Sequence, residues 1–140
     1  MLIRALLTAL YLAVLSVAAP AAASEPARPM TGAEFEAYTT GHTLTFGIAG
    51  TVYGIEQYLP NRRVIWRFLG EECRRGSWFD DGPEICFIYD EEPDRLHCWT
   101  FHETPRGLRA RLAGDGEGSE LIEVLRSEAP LMCPGEFLGA

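Results

Sequence analysis

A chain of 140 residues with 47% hydrophobic content is enough for one globular domain with its own core, and hardly for two. It carries 20 acidic residues against 12 basic ones, a net charge of -8. Nucleic-acid phosphates and anionic lipid surfaces recruit clustered positive charge, so neither is expected as a partner.

Residues 1–23 have the three parts of a secretory signal: Arg4, an apolar stretch over 5–19, and the small-residue ending Ala21-Ala22-Ala23. The apolar stretch holds Thr8 and Ser16 and falls short of the roughly 20 apolar residues that a membrane-spanning helix needs. Cleavage after Ala23 is therefore expected. The next cysteine is Cys73, so no lipidated N-terminus is indicated, and the mature chain is expected in the periplasm or outside the cell with no integral membrane segment. Residues 24–30 (SEPARPM), with two prolines, read as a flexible arm. The remainder, 31–140, reads as one β-rich domain.

Thr31 is a good N-cap and Glu34 follows three positions later, so the capping-box spacing predicts a short helix over 31–38, ended by Gly41. Phe35 and Tyr38 would share its buried face. Beyond Gly41 the period becomes two, and runs of strand-forming residues recur over 43–46, 51–59, 63–69, 77–79, 85–90, 97–103, 108–112 and 120–125. Breakers stand between them: Pro60-Asn61, Gly70, Gly82-Pro83, Pro93, Pro105 and Gly114 to Gly118. In 108–112 (LRARL) the leucines should face the core and the arginines water. Residues 120–125 alternate poorly, and a strand or a helical turn fits them.

Four cysteines in an exported domain imply two disulfides, with three connectivities to choose from. Residues 84–90 (EICFIYD) and 96–103 (LHCWTFHE) form a hairpin around Glu91-Glu92-Pro93, across which Cys86 would face Cys98. The same register pairs Ile85 with Trp99 and Ile88 with Leu96. Cys73 is then left for Cys133, tying down the C-terminal tail. Spacings of 13, 12 and 35 match no zinc pattern.

Successive antiparallel strands must hide one face, and a meander curled into a small barrel or half-barrel does so without long open edges. The expected core is aromatic: Tyr53, Ile55, Trp66, Phe68, Trp78, Phe87, Tyr89, Trp99, Phe101, Leu108 and Leu112.

The order of features resembles a family of small exported proteins, mostly alphaproteobacterial, of unknown function and lipocalin-like fold. The resembling residues are the helix leading into Gly41-His42-Thr43-Leu44, the spacing of Gly54 to Tyr58-Leu59, Gly76-Ser77-Trp78, Ile85-Cys86-Phe87 and Cys98-Trp99. They cover most of 31–112. The sequence departs from that family at Asn61-Arg62-Arg63, where a turn containing Gly is expected, and by adding Cys73 and Cys133. The resemblance implies a lipocalin-like barrel with a hairpin disulfide, and brings no catalytic residues.

Sites of chemistry are sparse. His97 and His102, five apart in one strand, point to opposite faces, so these two are not expected to form a joint metal or acid-base site, and single histidines, His42 included, read as solvated or hydrogen-bonded structural residues. Asp80, Asp81 and Glu84, then Asp90, Glu91, Glu92 and Asp94, gather at hairpin ends without calcium-loop spacing and read as solvated tips. The Asp115-Gly116-Glu117-Gly118 stretch reads as an ordinary loop. Arg62, Arg63, Arg67, Arg74 and Arg75 around Trp66 are the one basic concentration, read first as the wet face of a strand. No nucleophile elbow or phosphate loop is present, so no catalytic residue, metal or cofactor is expected. Two functions remain: a non-enzymatic barrel binding a small apolar or amphipathic molecule at its mouth, or an envelope interaction module with a filled core. The 15 aromatic residues favour filling.

Overall fold

The computed structural model describes residues 27–114 and 120–135; the signal segment, residues 24–26 and the 115–118 stretch lie outside them. One helix, α1 (Gly32–Thr39), is followed by eight strands: β1 (Thr43–Ile48), β2 (Thr51–Tyr58), β3 (Arg63–Phe68), β4 (Arg74–Asp81), β5 (Glu84–Tyr89), β6 (His97–Thr104), β7 (Gly107–Leu112) and β8 (Glu120–Ser127). Each pairs antiparallel with its neighbour, and β8 closes on β1. The result is the small barrel that the strand spacing predicts, with no open sheet edge.

The helix begins as its sequence dictates. The Thr31 hydroxyl accepts from the Glu34 N–H while the Glu34 carboxylate accepts from the Thr31 N–H, a complete capping box. Glu34 also pairs with Arg28, which holds its carboxyl down to about 2, the Thr31 bonds adding to the effect. The segment before the helix is held too: Met30 is buried and donates its N–H to the Phe101 carbonyl, and His102 Nδ1 lies 2.7 Å from the Ala27 carbonyl. Residues 27–30, the described part of the 24–30 segment expected to be a flexible arm, thus lie along β6.

Because the meander is antiparallel, its turns divide between two ends. At the closed end are the connections after β2, β4 and β6, and α1 lies across them. Phe35, fully buried, meets Tyr58, Trp78, Phe87 and Phe101 with ring centroids 4.5 to 6.3 Å apart, mostly edge-to-face. Arg62 fastens the helix from outside. It sits 2.7 Å from Asp80 and 3.2 Å from Glu36, and its guanidinium lies 4.4 Å from the Trp78 ring. The turn that replaces an expected glycine turn takes left-handed φ values at Asn61 (+60°) and Arg62 (+58°), and this triple engagement of Arg62 offsets that strain. Arg62 in turn holds the Asp80 carboxyl below its usual range.

Both bridges form between the expected partners, Cys86 to Cys98 and Cys73 to Cys133. Ile85 pairs with Trp99, but the ladder ends at Phe87 and His97, so Ile88 never meets Leu96. The chain instead turns twice between Tyr89 and Arg95, through Glu92 N–H to Tyr89 carbonyl and Arg95 N–H to Glu92 carbonyl bonds, and Leu96 is left exposed.

Three core expectations need correction. In β2 the inward residues are Gly54, Glu56 and Tyr58, so Ile55 faces out. It is covered there by a second apolar cluster of Ile65, Leu131 and Cys133, which the Cys73–Cys133 bridge holds against the sheet. Both faces of β2 and β3 are therefore apolar, and alternation alone could not choose the inner one. Tyr53 and Leu112 stand at the barrel rim, half-exposed. Residues 120–125 belong to a strand, with Leu121 and Glu123 inside and Ile122 and Val124 outside. Its inverted pattern, charge within and aliphatics without, explains its ambiguity.

Candidate binding chamber

The closed end is filled with rings, but the opposite half of the barrel is not. Above Phe87 and Phe101 lies a cavity of about 80 Å³, walled by Phe46, Trp66, Phe68, Tyr89, Trp99 and Leu121 with Glu56 among them. It continues into a mouth of about 410 Å³ that shares Tyr53, Phe68, Arg74, His97, Trp99 and Leu121 and widens to Ile48, Leu112, Glu92 and Arg95. This is the end where β1 turns into β2, through Ala49 and Gly50 at φ +47° and +82°, the left-handed pair that a tight hairpin requires.

Small residues create the space. Ala110 stands where its neighbours in β7 carry leucines. At Gly54 a Cβ would collide with the Trp66 indole, and at Gly76 with the Ile88 carbonyl and, 3.0 Å away, the Tyr89 ring. These two glycines let Trp66 and Tyr89 lie flat along the wall.

The polar groups of the chamber are few and unusual. Glu56 is 4% exposed, and its carboxyl accepts 3.1 Å bonds from the Tyr58 and Tyr89 hydroxyls. Burial pushes its pKa up to about 8, because two hydroxyl bonds do not replace the lost hydration of a carboxylate. Both tyrosines are pushed well above their usual range, chiefly by burial and then by the neighbouring Glu56. His97 packs edge-on against Tyr89, with centroids 5.7 Å apart, and burial lowers its pKa. Its Nε2 is buried with no hydrogen-bond partner among the described residues. Arg74 lies over Phe68 at 5.4 Å and is engaged by Glu71 and Glu92, each at 3.6 Å.

Glu123, the other buried acid among the described residues, is spent on structure. It accepts 2.9 Å from the Tyr38 hydroxyl and 2.7 Å from the Leu108 N–H, joining α1 to β7 and β8.

The residues singled out from sequence are dispersed. His42 stands beside Arg126, His102 bonds the segment before α1, and only His97 reaches the chamber. The arginines form no joint patch: Arg62 clamps α1, Arg63 pairs with Asp90, Arg67 bonds the Met132 carbonyl, and Arg74 sits at the mouth. Glu84 approaches the sulfurs of Cys86 and Cys98, but those are joined in a disulfide and have no thiolate to offer a metal. Glu56 was the residue sequence reasoning missed. The one signal for it was parity, since Gly54, Glu56 and Tyr58 share a face.

Compared with known protein families, curated proteins and solved structures, the chain matches none. The two disulfides suit an oxidising compartment such as the periplasm or the exterior. Among the described residues no helix is long and apolar enough to cross a membrane.

Proposed function

We propose that this is a non-enzymatic exported barrel that binds a small apolar or amphipathic molecule in the chamber at its open end. The observation that carries this reading is the contrast within one interior, closed and ring-filled below, hollow and aromatic above. The mouth, at about 410 Å³, lies inside the range of about 300–1,000 Å³ typical of small-molecule sites, and it joins an aromatic inner cavity to a rim that carries Arg74, Glu92, Arg95 and His97. Export to the periplasm or beyond agrees with the signal-like leader and with the disulfides, and the resemblance to exported lipocalin-like proteins points the same way.

Native mass spectrometry of protein purified gently from the periplasm, set against the same sample denatured without reduction, tests the reading. A small mass carried by the native protein and released on denaturation is expected, and Ala110→Leu, which fills the chamber, should abolish it. A bare native protein whose tryptophan emission ignores the neutral apolar probe phenylnaphthylamine would overturn it.

A second reading, docking on another envelope protein, is favoured by the outer face of β8, where Ile122, Val124 and Leu125 are 41% to 61% exposed. Under that reading Val124→Asp would abolish capture of a stoichiometric envelope partner, and the chamber variant would not.

A further inference from the structure

Resting on the binding reading above, we propose that the chamber's ligand is an apolar amine, a molecule with an aromatic or alkyl body whose protonated nitrogen enters from the mouth and pairs with the Glu56 carboxylate.

Two independent features select positive charge. The first is Glu56 itself, the one acid on the chamber wall. Its hydrogen-bond partners are two tyrosine hydroxyls, and no arginine acts on it. A carboxylate has about four lone-pair sites, so two bonds leave it acceptor capacity to spare. A buried acid without a cation is costly, and an incoming ammonium would supply the missing partner.

The second feature is the wall. Trp66 and Phe68 meet edge-to-face at 5.2 Å, Tyr53 meets both, and Trp99 and Tyr89 stand across the space. The faces of such rings carry negative potential and attract ammonium groups, most strongly where water is excluded. Carboxylates and sulfonates are repelled by the same faces.

The cations at the rim are already paired. Arg74, on the chamber wall, is held by Glu71 and Glu92, each at 3.6 Å, and Arg95 lies 3.9 Å from Glu92. His97 brings no opposing charge at neutral pH, since burial favours its neutral form.

Binding moves one proton. Near neutral pH Glu56 holds its proton, which passes to solvent as the ammonium N–H donates to the carboxylate. The groups facing Glu56 are Tyr58 on its own strand, Tyr89 from β5 and, farther along the wall, Arg74 from β4 and His97 from β6, with Glu123 acting on Tyr58 from β8. Burial holds both tyrosines well above the range between about pH 7 and 8.5. Affinity for the amine should thus rise with pH through that window and level off above about 8, where Glu56 is already ionised.

The test uses three probes of one shape, phenylbutylamine, phenylbutanol and phenylbutyrate, with the intact two-disulfide protein, read by calorimetry and by Trp66 and Trp99 emission. The amine should bind roughly tenfold or more tightly than the alcohol, with the acid weakest. Calorimetry near pH 7 in two buffers of different ionisation enthalpy should show close to one proton released per amine bound. In Glu56→Gln the amine and alcohol should bind within about twofold of each other. If the alcohol or the acid binds the wild type as tightly as the amine, the inference falls while the binding reading stands. Should Glu56→Gln keep the amine preference, the inference falls as well. If none of the three binds, both fall. The comparison of probes on the wild type decides the matter even where the variant folds poorly.

Discussion

The two ends of this barrel are built from the same materials and put to opposite uses. At the closed end every large ring finds another: Phe35 descends from α1 into Tyr58, Trp78, Phe87 and Phe101, and the polar groups that accompany the helix are paired. At the open end Tyr53, Trp66, Phe68 and Trp99 form walls around a cavity, His97 Nε2 has no hydrogen-bond partner among the described residues, and Glu56 is met by two tyrosine hydroxyls rather than by a cation. The number of aromatic residues therefore says little about whether a small barrel is full. What decides it is where a plug enters, and here α1 plugs one end only.

The largest effect should come from pulling that plug. Phe35→Ala removes a fully buried ring with contacts on four sides, and should cost about 3–5 kcal/mol in urea unfolding under non-reducing conditions. If the ends are as separate as they look, the folded fraction should still bind an apolar probe with little change. A loss of binding in proportion to the loss of stability would show that the plug also shapes the chamber.

Glu56 gives the next largest effect and places it at the boundary between the two ends. Its pKa is about 8 in the folded protein against 4.5 in the unfolded chain. Below the unfolded value both states hold the proton and the stabilisation is whole. As pH rises, the unfolded chain releases the proton first, and each unit costs the folded state about 1.4 kcal/mol until the folded pKa is passed. Between about pH 5 and 8 the wild type should thus lose roughly 3–4 kcal/mol relative to Glu56→Gln. The difference between the two unfolding curves isolates this carboxyl from every other ionisable group. Parallel curves would show that the folded Glu56 is ionised throughout, and hence that water reaches it.

These two residues differ in how well sequence announces them. Phe35 was legible, because the Thr31 and Glu34 capping spacing sets the helix and the helix sets the buried face. The strands, their meander order and the Cys86–Cys98 pairing were legible for a similar reason: each rests on local pattern or on neighbours across one turn. Glu56 was not, since an acid between apolar residues ordinarily marks the wet side of a strand. The deciding information was distant. The tail residues Leu131 and Cys133 cover Ile55, and only then does the even face of β2 turn inward. In β8 the same inversion puts Glu123 inside, where a hydroxyl from α1 and an N–H from β7 await it. The void was illegible altogether, for it depends on Gly54, Gly76 and Ala110 standing opposite rings from other strands.

Trp99 sharpens the contrast from the other side. It is half-exposed and faces the cavity, so truncation leaves fewer contacts unmade than a core ring would. Trp99→Ala should cost roughly 1–2 kcal/mol, well under the usual range for a buried aromatic, while weakening probe binding far more than Phe35→Ala does. The reverse ranking of the two variants in stability and in binding is the outcome that a divided interior requires. A cost as large as that of Phe35→Ala would mean that the chamber is held together by packing, and is no more a vacancy than the closed end.

The smallest effect lies at the helix start. Thr31→Ala removes the hydroxyl that accepts from the Glu34 N–H and donates to its carboxylate, and leaves the backbone half of the capping box and the Arg28 pair in place. A cost of about 1 kcal/mol is expected. Because α1 is fastened separately by Phe35 within and by Arg62 without, the loss should appear as faster amide exchange in the first turn of the helix, with the barrel strands unchanged. If exchange quickened in Phe101 and its neighbours on β6 as well, the cap would be steadying the whole segment that Met30 pins there. The plug and the wall would then open as one unit.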